Sequence, residues 1–89
     1  EIKIPTPDEI KFQVIDKVIE YAKEKNYNCL TIDGLRVNNP TSWALVRASN
    51  TGPNITLRFE ATTKEELESL EKEFTNLVEE YKKDLSNHS

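Results

Sequence analysis

Between residues 55 and 61 the apolar side chains Ile55, Leu57, Phe59 and Ala61 alternate with Thr56, Arg58 and Glu60. A period of two means a strand with one packed face and one polar face. Thr62 and Thr63 follow at once, with Glu65 and Glu66 placed to form a capping box in either of two registers. Beyond them Leu67, Leu70, Phe74, Leu77, Val78, Tyr81 and Leu85 recur at helical spacing, opposite a Glu- and Lys-rich face that reads as solvated. A one-faced strand feeding a one-striped helix leaves few solutions: the helix must cover the apolar side of a sheet.

The earlier half repeats the theme. Ile2 and Ile4 suit a short strand that Pro5 ends. Thr6-Pro7-Asp8-Glu9 reads as an N-cap Thr, a proline at the first helical position and a Glu able to reach back. Ile10, Val14, Ile15, Val18, Tyr21 and Ala22 then form one apolar stripe, and Lys23, Lys25 and Asn26 favour a helix end. Leu30 and Ile32 form a brief strand, Asp33-Gly34 is the sequence of a two-residue hairpin turn, and Leu35 and Val37 return. Asn38-Asn39-Pro40-Thr41 reads as a loop. Residues 43–48 are apolar at both parities, as expected of an inner strand partly covered on both sides. Trp43 reads as a packing anchor, with stacking on a sugar ring as the alternative. The fold class expected is α+β: an antiparallel sheet of four or five strands with two helices on one face. Residues 1–85 form one domain and residues 86–89 a frayed tail.

Composition narrows the function. A net charge of -4 argues against a nucleic-acid footprint, and no apolar run approaches a membrane span. One cysteine, Cys29, permits no internal disulfide and suits the reducing cytoplasm; without a neighbouring His or second Cys it reads as structural. The lone His88 has no second ligand type beside it. There is no Ser-His-Asp set, no Cys/His metal spacing and no phosphate-binding glycine loop of the nucleotide type. A chain that opens on Glu1 and contains no Met is expected to be part of a longer protein.

One stretch carries chemistry: Arg47-Ala48-Ser49-Asn50-Thr51-Gly52-Pro53, lying between two strands. Arg47 offers a planar fork that can engage two phosphate oxygens at once. Ser49, Asn50 and Thr51 add side-chain donors, and a tight turn can aim their backbone N–H groups at one point. Gly52 tolerates positive φ and lets a ligand approach, while Pro53 sets the exit. The same Ser, Asn, Gly and Pro also make any tight hairpin turn. A free-standing module for phosphorylated ligands and a purely structural domain are therefore the alternatives at this point.

Three runs in order, Asp33-Gly34-Leu35-Arg36-Val37, then Trp43 through Pro53, then Leu57-Arg58-Phe59-Glu60-Ala61, resemble the C-terminal domain of the alpha-D-phosphohexomutases. The resemblance spans residues 2–81 and is closest to the phosphomannomutase/phosphoglucomutase branch, which Asn50 also favours. It departs from the usual pattern at Thr41-Ser42, where the family often has Asp-Gly, and at Gly52, where many members have Glu. The resemblance implies a fold likened to one repeat of the TATA-binding protein. It also implies that Arg47, Ser49, Asn50 and Thr51 grip the phosphate of a phosphosugar substrate, and Gly52, read from the turn itself, completes the expected site. The catalytic phosphoserine and the aspartates holding Mg²⁺ would lie in other domains of the same enzyme. On that reading this fragment has no catalytic residue, no metal ligand and no cofactor of its own.

Overall fold

The computed structural model describes residues 1–86. Its elements are β1 (Ile2–Pro5), α1 (Asp8–Glu24), β2 (Cys29–Leu30), β3 (Leu35–Asn39), β4 (Ser42–Ala48), β5 (Asn54–Ala61) and α2 (Lys64–Ser86). The strands form one antiparallel sheet in the order β1-β5-β4-β3-β2. The expected α+β class is what the chain adopts.

Register decides which side chains meet. Val46 faces Leu57 on β5 and Leu35 on β3, and Ala44 faces Phe59 and Val37. Ile4 faces Ile55 across the β1 edge, and Cys29 faces Val37 at the other. All of these lie at the same parity, so they share the face that α1 covers with Val14, Ile15, Val18 and Ala22 and α2 with Leu70, Phe74 and Val78. Removing a side chain such as Phe74 from water contributes about 1.5–3 kcal/mol. The half-buried Cys29 thus has the structural position expected of it.

The other face carries Arg36, Asn38, Trp43, Leu45, Arg47, Arg58 and Glu60. The expectation that β4 is partly covered on both faces holds along most of the strand: Trp43 and Leu45 are half-buried on this side, and only Arg47 is exposed. The Arg36 guanidinium lies 4.6 Å from the Trp43 ring centre, and Trp43 Nε1 donates to Glu60 Oε2 at 3.0 Å. A cation over the ring and a carboxylate on its N–H account for this indole as a packing anchor.

Local expectations fail where a nearby strand competes for a group. Thr6 does not cap α1: Pro7 holds the N-cap position with no side-chain cap, and the buried Thr6 Oγ1 donates to Ile4 O at 3.0 Å. Its backbone N–H is taken by Pro53 O at 2.7 Å, which fixes Thr6 to the β4–β5 connection. Asp33 and Gly34 do adopt positive φ, 59° and 110°, yet they do not close a two-residue hairpin. Leu30 pairs with Arg36, so residues 31–34 all belong to the connection and Ile32, expected in the strand, is 82% exposed. The β3–β4 turn is tighter than expected, because Asn39 pairs with Ser42 and leaves only Pro40 and Thr41 outside the ladder.

Helix ends fare better. Asn26 takes φ 61°, the left-handed position foreseen for it past the end of α1. Thr63 Oγ1 accepts from Glu66 N–H at 3.1 Å, so the second capping register is used, but the Glu66 carboxylate accepts from Thr41 instead of reaching back. The stripe of α2 is buried at Leu70, Phe74 and Val78, and the helix runs through Ser86. The rest of the expected tail, His88 included, lies outside the described residues.

The polar side of α2 is not uniformly solvated. Tyr21 and Tyr27 both donate to Glu73 Oε2, at 2.7 and 2.6 Å, joining α1, the turn after it and α2. The hydrogen bond to Glu73, helped by burial, pushes Tyr21 up from 10.0 to about 12; burial first, then the same carboxylate, raises Tyr27 further. Both folded values lie above the unfolded one. The cluster therefore contributes stability that is complete below pH 10 and is lost as pH climbs through the folded values. Glu73→Gln should bring the Tyr21 ionisation down toward 10.0, read by phenolate absorbance; an unchanged midpoint would show that the carboxylate is not the cause.

Candidate phosphate-binding loop

The connection between β4 and β5, residues 49–53, is the element the resemblance singles out. It is a hairpin loop, so the plain turn reading is correct as local geometry. Ser49 N–H donates to Asn54 O and Asn54 N–H to Gly52 O, both at 2.9 Å, which closes the loop at its base. Within it Thr51 N–H donates to Ser49 Oγ at 3.2 Å, and the two hydroxyl oxygens lie 3.4 Å apart. Ser49 and Thr51 thus form one exposed pair of hydroxyls. Among the described residues the N–H groups of Asn50 and Gly52 have no hydrogen-bond partner, and these two are the loop's uncommitted backbone donors.

Gly52 serves a different purpose from the one expected. Its φ is not positive; Gly34 is the glycine in that region. A Cβ on Gly52 would come within 3.1 Å of Asn54 Nδ2, the end of a side chain that can move aside, so the glycine spares a small adjustment there and no more.

Arg47 is the penultimate residue of β4, the strand that leads into the loop. Its neighbour Val46 is fully buried, so alternation turns Arg47 toward the helix-free face, where it is exposed beside Thr56 of β5. Among the described residues it makes no ion pair, although the chain as a whole is acidic. An unpaired guanidinium keeps its full donor fork for a ligand. Arg47, Ala48 and Asn50 also line a cleft of about 220 Å³, whose other walls are Phe12 and Ile15 of α1 and the turn residues Asp33 and Gly34.

Gly34 makes the close approach of that turn possible. A Cβ there would lie 2.6 Å from Val46 O and 2.9 Å from Arg47 Cβ, closer than nonbonded atoms allow. The Asp33-Gly34 pair therefore does more than reverse the chain: it sets the wall against which Arg47 sits.

Sequence reasoning missed Lys11. Its side chain is 8% exposed, and its Nζ donates to Ser49 O at 2.7 Å and Gly52 O at 3.1 Å while pairing with Asp8 Oδ1 at 2.8 Å. The signal was present, since Lys11 stands in phase with Val14, Ile15, Val18 and Ala22, all buried. A lysine on an apolar stripe at a helix start must find acceptors, and here the loop supplies them. Phe12, 59% exposed at the cleft, was missed as well, because it lies off the stripe. Trp43 does not join the loop: it stands four residues before Arg47 along β4, roughly 13 Å from it, and lines a separate cleft with Asn39, Pro40 and Thr62.

Comparison with known proteins places this geometry in context. The family model for the phosphoglucomutase/phosphomannomutase C-terminal domain matches residues 1–77. A phosphomannomutase/phosphoglucomutase of Pseudomonas aeruginosa is 46% identical over 76 residues, covering 85% of this chain and 16% of its own length. A protein of Pyrococcus horikoshii described as a probable phosphoglucosamine mutase is 41% identical over 86 residues, covering 94% of this chain and 19% of its own. The crystal structure of a phosphoglucomutase/phosphomannomutase family protein from Burkholderia thailandensis superposes with a TM-score of 0.67 at 34% identity, over 88% of this chain and 16% of that one. The chain spans 16% of the length of the first of these relatives. Matched over most of its length by family model, sequence and fold alike, the chain belongs to the phosphoglucomutase/phosphomannomutase family, of which it is the C-terminal domain.

Proposed function

We propose that this domain holds the phosphate of a phosphosugar through Arg47, Ser49, Asn50, Thr51 and Gly52, within a parent mutase that interconverts hexose 1-phosphate and hexose 6-phosphate. The observation that carries this reading is the donor inventory of the loop end. An exposed arginine without an ion pair, a hydroxyl pair and two uncommitted N–H groups lie within one short stretch of an acidic chain. Phosphate asks for such donors, because its oxygens accept several at once and gain most from charged ones.

The role is positional. Binding energy collected at a phosphate remote from the reacting oxygen serves to orient the other end of the sugar. A grip that must accept a bisphosphorylated intermediate in two orientations recognises phosphate and not the sugar. Swinging the domain over a cleft formed with the other domains of the same enzyme would keep water from a reactive phosphoserine there.

The Mg²⁺ implied by the resemblance does not fit the described residues. Among the described residues no three His, Cys, Asp or Glu side chains gather into a possible metal site. On this reading any such ion would be held by the rest of the enzyme, and this domain would contribute binding. The reading also carries a cytoplasmic location, supported by the single unpaired Cys29, with neither nucleic acid nor membrane as partner. No described helix is long and apolar enough to cross a membrane. A mutase assay on the 89-residue chain with glucose 1-phosphate tests the division of labour: no turnover is expected, and turnover would mean that catalytic groups lie within it.

A further inference from the structure

We propose that Lys11 is the positioning residue of this loop, the group that holds its donors outward in a ligand-ready arrangement. A loop rich in Ser, Asn, Thr and Gly has many conformations of similar energy, and most would not present hydroxyls and N–H groups together. Something must select one. Lys11 is anchored on the second turn of α1 and its ammonium has three acceptors, Asp8 Oδ1, Ser49 O and Gly52 O, for three protons. Two of those acceptors are carbonyls on either side of Asn50 and Thr51. In a trans peptide the N–H points opposite to the C=O, so drawing Ser49 O toward Lys11 turns the Asn50 N–H away from it; the Asn50 and Gly52 N–H groups have no internal partner among the described residues.

Thr6 N–H on Pro53 O, at 2.7 Å, fastens the loop's exit to the same end of the molecule. The loop is thus tied to the start of α1 at two places, and Lys11 provides the charged one. The buried cation has a second consequence. It puts a positive charge, paired with the Asp8 carboxylate, behind a loop that Arg47 precedes, so a bound dianion would feel the Arg47 charge in full and that of Lys11 only in part. Lys11 does not touch the ligand; it acts through Ser49 and Gly52.

The ligand arm of this inference rests on the phosphate reading above, and the conformational arm does not. Lys11→Met keeps the stem's bulk and removes the charge and every donor. In the isotope-labelled chain, backbone relaxation should then report a loosened stretch at residues 49–52, while the amide signals of Leu35, Val46, Leu57 and Phe74 stay in place. The dissociation constant for inorganic phosphate, followed on the Asn50 and Gly52 amides, should rise about tenfold, because phosphate would then have to order a loop that Lys11 no longer holds. Lys11→Arg retains a cation with several donors and should restore most of the order and affinity.

A loop as ordered in Lys11→Met as in the wild type would overturn the inference, whatever phosphate does. So would a Lys11→Arg chain as loose as Lys11→Met. If the loop loosens in Lys11→Met but the wild type ignores phosphate, the clamp stands and the phosphate reading falls.

Discussion

Arg47→Ala is expected to weaken phosphate binding by about 10- to 100-fold, the largest single effect on function that the loop offers. The reasoning starts from donor chemistry. Charge-assisted hydrogen bonds contribute about 1.5–3 kcal/mol each, and a guanidinium can make two to one phosphate. Against them stands an association cost of roughly 4–15 kcal/mol, so the 89-residue chain should bind phosphosugars only in the millimolar range. Little margin remains, and removing Arg47 should remove most of the measurable binding. Because Arg47 is exposed and unpaired among the described residues, its truncation leaves no buried group unsatisfied and the fold should be unaffected. Arg47→Lys should recover only part of the loss, since an ammonium is a point charge without the fork. In the parent enzyme the alanine variant should raise KM and lower kcat together, because a grip on the remote phosphate also orients the reacting end. Normal kinetics in that variant would contradict the role given to Arg47.

The second large effect lies one strand away. Gly34→Ala should destabilise the fold by about 3 kcal/mol, the scale of a side chain forced into a backbone region it rarely adopts. The φ of 110° disfavours any L side chain, and the added carbon would meet Val46 O at 2.6 Å, a backbone atom in the middle of the sheet that cannot rotate away. A chain of this size loses about 4–8 °C of Tm per kcal/mol, so the change is plain in thermal or urea unfolding. It should also weaken phosphate binding, because the same carbon would press on Arg47 Cα and Cβ, at 3.0 and 2.9 Å. Unchanged stability would mean that the turn can shift without moving β4. Changed stability with unchanged binding would separate the turn from the site.

Periodicity carried the architecture because it records burial directly. The alternation through β5 and the stripe of α2 placed Leu57 and Phe74 in the core where the structure has them. Groups with two possible partners were less legible. Thr6 could cap a helix or bond a neighbouring carbonyl, and the packing of β1 beside β5 decided for the second. Asp33-Gly34 has the composition of a two-residue turn, but the register of Leu30 with Arg36 requires a longer connection. The loop's residue types were readable, and so was the resemblance that linked them to phosphate. What organises the loop was not, because the contacts of Lys11 with Ser49 and Gly52 span 38 and 41 positions and follow only once α1 lies beside the loop. Spacing within the helix held a signal that sequence reasoning passed over, a lysine in phase with the apolar stripe; only the tertiary fold gives it acceptors.

The central claim is that this loop recognises phosphate irrespective of the sugar attached to it. Titrating the isotope-labelled 89-residue chain with glucose 1-phosphate, mannose 1-phosphate and inorganic sulfate, while following backbone amides by NMR, tests that most directly. The account predicts shifts confined to the neighbourhood of residues 47–52, led by the Asn50 and Gly52 amides and alike for all three ligands. No shift there at ligand concentrations on the order of tens of millimolar, or shifts that differ sharply between the two sugars, would contradict it.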